Sequence, residues 1–198
     1  MYKRQDETRS VLGTPDLYQV HSLTTDSPLF DDTALLAALG EVRDEGVRLG
    51  FSTSGPDQAD AVRRGLALEV DGRPLFTAVQ STWNLLEPSV GDALREAHDD
   101  EVLVLVKEGL ANGRLVVEAP EALVQVAERH GVGPDAVALA AVAEQPFVDV
   151  VLSGAAGPDQ LRSNLAPVVL HSDERARLAE FAGPADEYWA HRRGMAWV

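Results

Sequence analysis

The chain has 198 residues, a formal net charge of −15 from 17 basic and 32 acidic residues, and no cysteine. Because this charge repels a phosphate backbone, we expect no nucleic-acid partner. The absence of cysteine excludes disulfides, thiolate metal sites and a cysteine nucleophile. No apolar run is long enough to predict a membrane span, and the charged first ten residues do not resemble a signal peptide. The sequence therefore predicts a globular, cytoplasmic protein.

Short apolar strands alternate with amphipathic helices in the first half of the chain. A strand is predicted over residues 16–21 and ends at His21. The helix predicted over 31–45 is opened by Asp31 and Asp32 and closed by Gly46. The further elements predicted here are strand 47–52, helix 55–70, strand 76–80 and helix 87–98.

The second half continues the alternation. Residues 101–107 form the most apolar run, which predicts a strand buried on both faces. Another strand is predicted over 147–153, and a polar, aromatic tail over 184–198. The tail tryptophans, Trp189 and Trp197, are expected to cover one end of the fold, to line a pocket or to be disordered. The helices predicted here are 120–130, 134–144, 158–166 and 172–182.

Strands that alternate with helices predict right-handed βαβ units and a parallel sheet. Five strands fit either an open doubly wound sheet or part of a (β/α)₈ barrel. No GxGxxG follows the first strand, so the dinucleotide fingerprint of the open sheet is missing. There is also no GxSxG elbow, and the five histidines are dispersed, so neither a hydrolase elbow nor a metal site is predicted.

Polar residues follow nearly every predicted strand. In parallel α/β folds the chemistry lies at these carboxyl ends. Structural roles are open as well, because a lone histidine often only satisfies its neighbours and serines cap helices. Lys107 ends a buried strand and needs a partner, for which Glu108 and Asp149 are candidates. The strand-end residues are His21-Ser22, Ser52-Thr53-Ser54, Gln80 to Asn84, Lys107-Glu108 and Ser153 to Ala155.

Taken together, these segments resemble the aldo/keto reductase superfamily over roughly residues 8–170. The resemblance begins with DLYQVH, which is similar to the fourth barrel strand of the family. The segments that resemble the later strands and loops, in order, are LGFSTSGPDQ, VQSTWNLLEPS, VLVKEGLANGRL and VVLSGAAGPDQLRSNL. Five such segments in the family's order are specific, although each alone is weak.

The resemblance implies an α/β fold, a TIM (β/α)₈ barrel that is partial here. It would contain about five β/α units and an extra C-terminal helix. The chain would be a single domain over residues 1–198 that lacks the first three units of the family. The implied activity is NAD(P)H-dependent reduction of an aldehyde or ketone to an alcohol, with NADPH favoured over NADH.

The resemblance also implies roles for individual residues. His21 matches the catalytic histidine, a donor aimed at the carbonyl oxygen as it gains charge. Ser52 and Gln80 match residues that bind the nicotinamide carboxamide, and Thr53 replaces the usual asparagine. Lys107 stands where many members have a tyrosine that stacks on the nicotinamide.

The last predicted strand and helix match the phosphate-binding part of the cofactor site. Gln160 stands where a 2′-phosphate-binding arginine often lies, and Arg162 is a candidate substitute. Asn164 matches an adenine-contacting asparagine. The predicted cofactor-binding residues of this segment are Ser153, Gly154, Ala155, Gln160 and Asn164.

The family's proton-donating tyrosine and its aspartate and lysine partners have no match in this sequence. Tyr18 lies inside a strand, three residues from His21, and is predicted to point to the opposite face. A truncated, non-catalytic half-barrel that binds nucleotide or a protein partner is therefore the alternative. Five barrel strands also leave two open sheet edges, so we expect either self-association or a partner chain there.

Overall fold

The computed structural model describes residues 10–11 and 13–195 of the chain. Seven strands lie in this part: β1 (Leu17–Leu23), β2 (Arg48–Thr53), β3 (Glu69–Val70), β4 (Arg73–Pro74), β5 (Ala78–Thr82), β6 (Leu103–Lys107) and β7 (Val150–Val151). The α-helices after β1 are α1 (Thr33–Asp44), α2 (Gln58–Leu66), α3 (Gly91–Asp99), α4 (Arg114–Val117), α5 (Glu121–His130), α6 (Pro134–Ala143), α7 (Pro158–Asn164), α8 (Ser172–Ala179) and α9 (Ala185–Gly194). Short 3₁₀ turns occupy Pro28–Asp31 and Ala111–Gly113.

Five of the strands form one sheet in the order β1-β2-β5-β6-β7, and every pairing in it is parallel. Each strand lies beside the next sheet strand along the chain, and a helical connection separates them. Such an order is that of consecutive strands in a barrel wall rather than of a doubly wound sheet, whose strand order reverses at a switch point. The predicted parallel sheet and its βαβ units are confirmed.

The two faces of the sheet differ in what covers them. Leu49, Phe51, Val79 and Val104 point to the helices and form the main apolar core with residues of α1, α2 and α3. Because side chains alternate along a strand, their neighbours in sequence point to the opposite face. That second face, called the inner face below, carries polar side chains toward the carboxyl ends of the strands, including Gln80.

A second apolar cluster lies under the helices of the C-terminal half. Leu115, Leu123, Val137 and Leu178 are buried there with Trp189 of α9. Helix α9 falls within the predicted polar tail, and the packing of Trp189 fixes it against the rest of the domain. Of the alternatives considered for this tryptophan, covering the fold is therefore the one observed, whereas Trp197 lies outside the described residues.

Several element boundaries differ from the predictions, and the two differences described here are a helix replaced in part by a hairpin and a shortened strand. The helix predicted over 55–70 ends at Leu66, because residues 69–74 form the antiparallel hairpin β3–β4. Asp71 and Gly72 both have positive φ there, 55° and 68°, as a two-residue hairpin turn requires. The strand predicted over 147–153 is reduced to Val150–Val151. Among the described helices, none is long and apolar enough to cross a membrane.

Candidate active site

The carboxyl ends of β1, β2 and β5 bring three predicted site residues together. Ser52 and Gln80 are paired in register on adjacent strands and share the inner face. His21 lies on β1 at a register irregularity between Val20 and Leu23. This bulge gives Ser22 a φ of 53° and lets its backbone N–H donate to the Ser52 Oγ at 2.9 Å. Bulges and positive-φ residues of this kind are frequent next to active sites.

The three residues differ in exposure, because Gln80 is half-buried and Ser52 is only 5% exposed. His21 is exposed, and its Nε2 lies 3.5 Å from the Ser22 Oγ. The Gln80 amide donates to the Gln19 Oε1 at a long 3.5 Å, so this contact holds it weakly. Imidazole, hydroxyl and carboxamide groups thus lie at the carboxyl ends of three neighbouring strands, and these groups donate to and accept from carbonyl and amide groups.

Thr53 does not join this cluster. It follows Ser52 in the strand and therefore points to the helix side, where it is fully buried. Its Oγ1 lies 2.7 Å from the Ser81 Oγ, and Gln58 is at 3.5 Å. The structure therefore places the Thr53 side chain in a buried polar contact between β2, β5 and α2, away from the inner face.

The side chain of Gln58 holds the loop that follows β5 in place. It is fully buried, and its Nε2 donates to the Thr82 carbonyl at 2.9 Å and to the Glu87 carboxylate at 3.2 Å. Its Oε1 accepts from the Thr82 N–H at 3.2 Å. Ser89 donates to the same Glu87 Oε1 as Gln58, whereas the buried Glu87 Oε2 has no hydrogen-bond partner among the described residues. This network fixes the strand-end loop that carries Asn84.

The carboxylate of Glu108, just after β6, is held by several partners. Arg192 of α9 forks onto it with nitrogen–oxygen distances of 3.0, 2.9 and 2.5 Å, and the Asn112 amide donates at 3.0 Å. Lys107 Nζ lies 3.7 Å away, which confirms Glu108 as the partner expected for this lysine. Burial lowers the pKa of Lys107 in spite of that neighbour. For Glu108, burial alone would raise the pKa, but Arg192, Lys107 and Asn112 outweigh it and the pKa is lowered.

The loop that follows β6 has an unusual backbone. Glu108, Ala111 and Asn112 all have positive φ, at 57°, 50° and 54°. Such conformations cost free energy for residues with a Cβ, and they persist only where surrounding contacts hold them. The contacts of the Glu108 carboxylate with Arg192 and Asn112 are those restraints, so α9 helps to shape this loop.

Tyr188 of α9 packs beside the same loop. The Asn84 amide donates to its hydroxyl at 3.1 Å and to the Glu108 carbonyl at 3.0 Å. Burial, with the charge of Glu108, raises the pKa of Tyr188 to about 12. Tyr18, as predicted, packs against the core on the helix side. Neither tyrosine therefore lies with His21, and Tyr2 is outside the described residues.

A cleft of about 460 Å³ opens between the β6 loop and the segment after β7. The Asn164 amide donates to the Ser153 carbonyl at 3.2 Å, and the Gln160 Oε1 accepts from the Ala156 N–H at 2.8 Å. Arg162 is outside its lining and pairs with Asp159 at 2.5 Å. Five of the predicted cofactor residues line this cleft, namely Ser153, Gly154, Ala155, Gln160 and Asn164.

Four residues around these sites were not singled out from the sequence. Tyr188 and Arg192 are four residues apart on one helix and therefore share a face. The sequence could have indicated this pair if the tail had been predicted as a helix. Gln58 carries no local signal, because its partners Thr82 and Glu87 are distant in sequence. Asp135, which also lines the cleft, is the acid in the first turn of α6.

The chain is similar to known proteins over most of its length. The model of the aldo/keto reductase family matches residues 2–182. The chain belongs to the aldo/keto reductase family. Protein tas of Escherichia coli (strain K12) is 41% identical over 63 residues, which is 32% of this chain and 18% of that protein. Protein tas of Shigella flexneri matches to the same extent.

Solved structures of aldo-keto reductases share the fold. One described as a putative 2,5-diketo-D-gluconic acid reductase B superposes with a TM-score of 0.69 at 24% identity, over 93% of this chain and 63% of its own. Aldo-keto reductase AKR11C1 from Bacillus halodurans, in its holo form, superposes with a TM-score of 0.65 at 20% identity. The match covers 93% of this chain and 67% of that protein. The five parallel strands are thus a partial TIM-like barrel, and the chain spans about two thirds of these solved relatives.

Proposed function

We propose that this chain carries the cofactor-binding and carbonyl-orienting side of a nicotinamide-dependent carbonyl reductase. The observation that carries the proposal is the cluster of His21, Ser52 and Gln80 on the inner face, joined through the Ser22 N–H to Ser52 Oγ bond. Family membership supports an oxidoreductase of aldehydes or ketones, and the cleft between the β6 loop and the segment after β7 supports a dinucleotide.

The residues of the cleft fit such a group in size and shape. At Gly154 of the wall, with φ +65°, an added Cβ would meet nothing within 4 Å, so the wall is open there. Amide and hydroxyl groups of Ser153, Gln160 and Asn164 offer hydrogen bonds there. A volume of about 460 Å³ lies within the range of ligand pockets in proteins.

Each residue of the cluster has a defined task in this proposal. Ser52 and Gln80 bind the nicotinamide carboxamide and so orient the ring toward the inner face. His21 donates an N–H to the substrate carbonyl oxygen, which gains negative charge as the reaction proceeds. When bound, the reduced dinucleotide supplies the hydride. The small-molecule substrate enters from the side of the exposed His21.

A second function is favoured by one observation: Tyr18 and Tyr188 both lie away from His21. A carbonyl oxygen needs a proton as well as a hydride, and a positioned acid contributes typically about 10²–10⁴-fold to such steps. Without that acid the chain would bind the dinucleotide but turn over substrate slowly or not at all. This alternative is the non-catalytic, nucleotide-binding half-barrel.

One experiment separates the two functions. The 198-residue chain is titrated with NADH and NADPH by fluorescence, and oxidation of each is then followed with 4-nitrobenzaldehyde. Carbonyl reduction that His21→Ala lowers about 10²-fold or more, with binding retained, supports the reductase. Binding without turnover supports the half-barrel. If the chain shows no binding and no turnover, both functions are refuted.

We also propose that the chain associates with itself through its sheet edges. Within the described residues, β1 and β7 each have one strand neighbour only. Unpaired edges bind further strands readily, and Val150 and Leu152 beside one edge are more than a third exposed. Light scattering of the purified chain should therefore give the mass of an assembly. A monomer at about 100 μM, a concentration far above a typical specific Kd, would refute self-association.

A further inference from the structure

Lys107, the last residue of β6, carries a largely buried amine on the inner face of the sheet. Val104 and Val106 belong to the main apolar core on the helix side, so strand alternation turns Lys107 to the opposite face. Its side chain is only 17% exposed. Lysine is rarely buried unless it is paired, so its partners decide what this amine can do.

The carboxylate nearest to Lys107 is already held by another cation. Arg192 forks onto Glu108 with nitrogen–oxygen distances of 3.0, 2.9 and 2.5 Å. The Lys107 Nζ lies farther away, at 3.7 Å from the Glu108 Oε1. Two cations therefore share one carboxylate, and the arginine has the closer, forked geometry that gives the stronger bonds. The ion pair that holds α9 thus leaves the Lys107 amine only loosely engaged.

Burial and a neighbouring cation are two means by which proteins activate a lysine amine as a nucleophile. Both act on Lys107. Burial lowers the pKa of Lys107, Glu108 opposes that effect, the charge of Arg192 adds to it, and the pKa is lowered overall. A lowered pKa leaves a larger fraction of the amine neutral near pH 7, and the neutral amine is the form that attacks a carbonyl carbon.

The register of the sheet places Thr82 next to Lys107 on the neighbouring strand. The two residues are parallel partners of β5 and β6, and Thr82 shares the inner face because it lies two residues after Gln80. The Thr82 Oγ1 is buried and has no hydrogen-bond partner among the described residues. Buried hydroxyls are normally bonded, so this one is available to the oxygen of a carbonyl compound at Lys107.

We propose that Lys107 forms an imine with small aldehydes, a reaction that goes beyond the proposed hydride transfer and needs no dinucleotide. The ammonium first releases a proton, and the amine then attacks the carbonyl carbon, so that a carbon–nitrogen bond forms. The carbon–oxygen bond breaks, and the oxygen leaves as water with the released proton and one proton of the amine. The protonated imine keeps the positive charge of the lysine beside the Glu108 carboxylate.

Reductive trapping tests this proposal in the absence of any dinucleotide. The full chain is incubated near neutral pH with 4-nitrobenzaldehyde and sodium cyanoborohydride, which reduces an imine to a stable secondary amine. Lys3 is the only other lysine of the sequence, so peptide mass mapping readily assigns each nitrobenzyl group. Lys107→Arg keeps the charge and removes the nucleophile, and Lys3→Arg is the matched control. The comparison of the two lysines within one wild-type chain does not depend on the folding of a variant.

The expected result is that Lys107 is labelled about tenfold or more faster than Lys3 in the folded chain. In urea the two rates should become similar, because burial and Arg192 no longer act on the amine. Lys107→Arg should abolish the fast label, and Lys3→Arg should leave it unchanged. A rate at Lys107 no higher than that at Lys3, or a fast label that remains in Lys107→Arg, would overturn the inference. The dinucleotide titrations decide the proposed function separately.

Discussion

Replacement of Arg192 by methionine tests how α9 holds the loop after β6. The substitution removes a forked ion pair with Glu108 whose side chains are only 23% and 12% exposed. Breaking a buried pair costs about 3–5 kcal/mol, because one charge is left uncompensated. Lys107 and Asn112 remain beside Glu108, so we expect a smaller loss, about 2–3 kcal/mol in the free energy of unfolding. For a domain of this size that corresponds to a fall in Tm of about 4–12 °C.

The pH dependence of this loss has a defined sign. The pKa of Glu108 is lowered in the folded protein, so its stabilisation is present above the unfolded pKa, about 4.3, and is lost as the pH falls through the folded pKa. The difference between wild type and Arg192→Met should therefore be constant near neutral pH and shrink below about pH 4.

Thermal and denaturant unfolding, followed by circular dichroism, measure these differences. The control is Arg193→Met, which changes an exposed arginine on the same helical turn and should lower stability little. Equal losses for Arg192→Met and Arg193→Met would refute the reasoning. So would a difference that persists unchanged at pH 3, because Glu108 would then not be the partner that matters.

Three further predictions follow from the site. Ultraviolet titration should show Tyr188 ionising near pH 12, well above an ordinary tyrosine, and Tyr188→Phe should remove that component; full ionisation by pH 10.5 would contradict it. Gln58→Leu should lower the free energy of unfolding, measured in urea, by about 2–4 kcal/mol, because buried partners such as Glu87 lose their hydrogen bonds. A loss under about 1 kcal/mol would show that these partners are not buried. Ser52→Ala should weaken NADH binding about five- to tenfold in a fluorescence titration, the loss of one hydrogen bond, and unchanged affinity would exclude Ser52 from the site.

The repeating part of the fold could be predicted because its signal is local. Alternating short apolar runs and amphipathic helices give all five sheet strands and their parallel order, and Asp32 caps α1 through the Leu35 N–H as expected. The hairpin at 69–74 was missed because two-residue strands have no periodicity to detect. Helix α9 was missed because four of its ten residues are charged and its burial depends on the distant cluster around Leu178.

The site could be predicted only where it follows from strand register. Ser52 and Gln80 come together because parallel strand ends meet at one edge, and the family resemblance supplies the same pair. Thr53 stood next to Ser52 in the sequence, but strand alternation turns it to the helix side. The cleft between the β6 loop and the segment after β7 depends on packing between segments that are distant in sequence, which no spacing in the sequence encodes.

The central claim is that this chain binds a nicotinamide dinucleotide in the cleft between the β6 loop and the segment after β7. The measurement that tests it most directly is a calorimetric titration of the purified chain with NADH. The account predicts saturable binding of one NADH per chain, competed by ADP-ribose. A titration without saturable heat up to millimolar NADH, on protein shown to be folded, would contradict it.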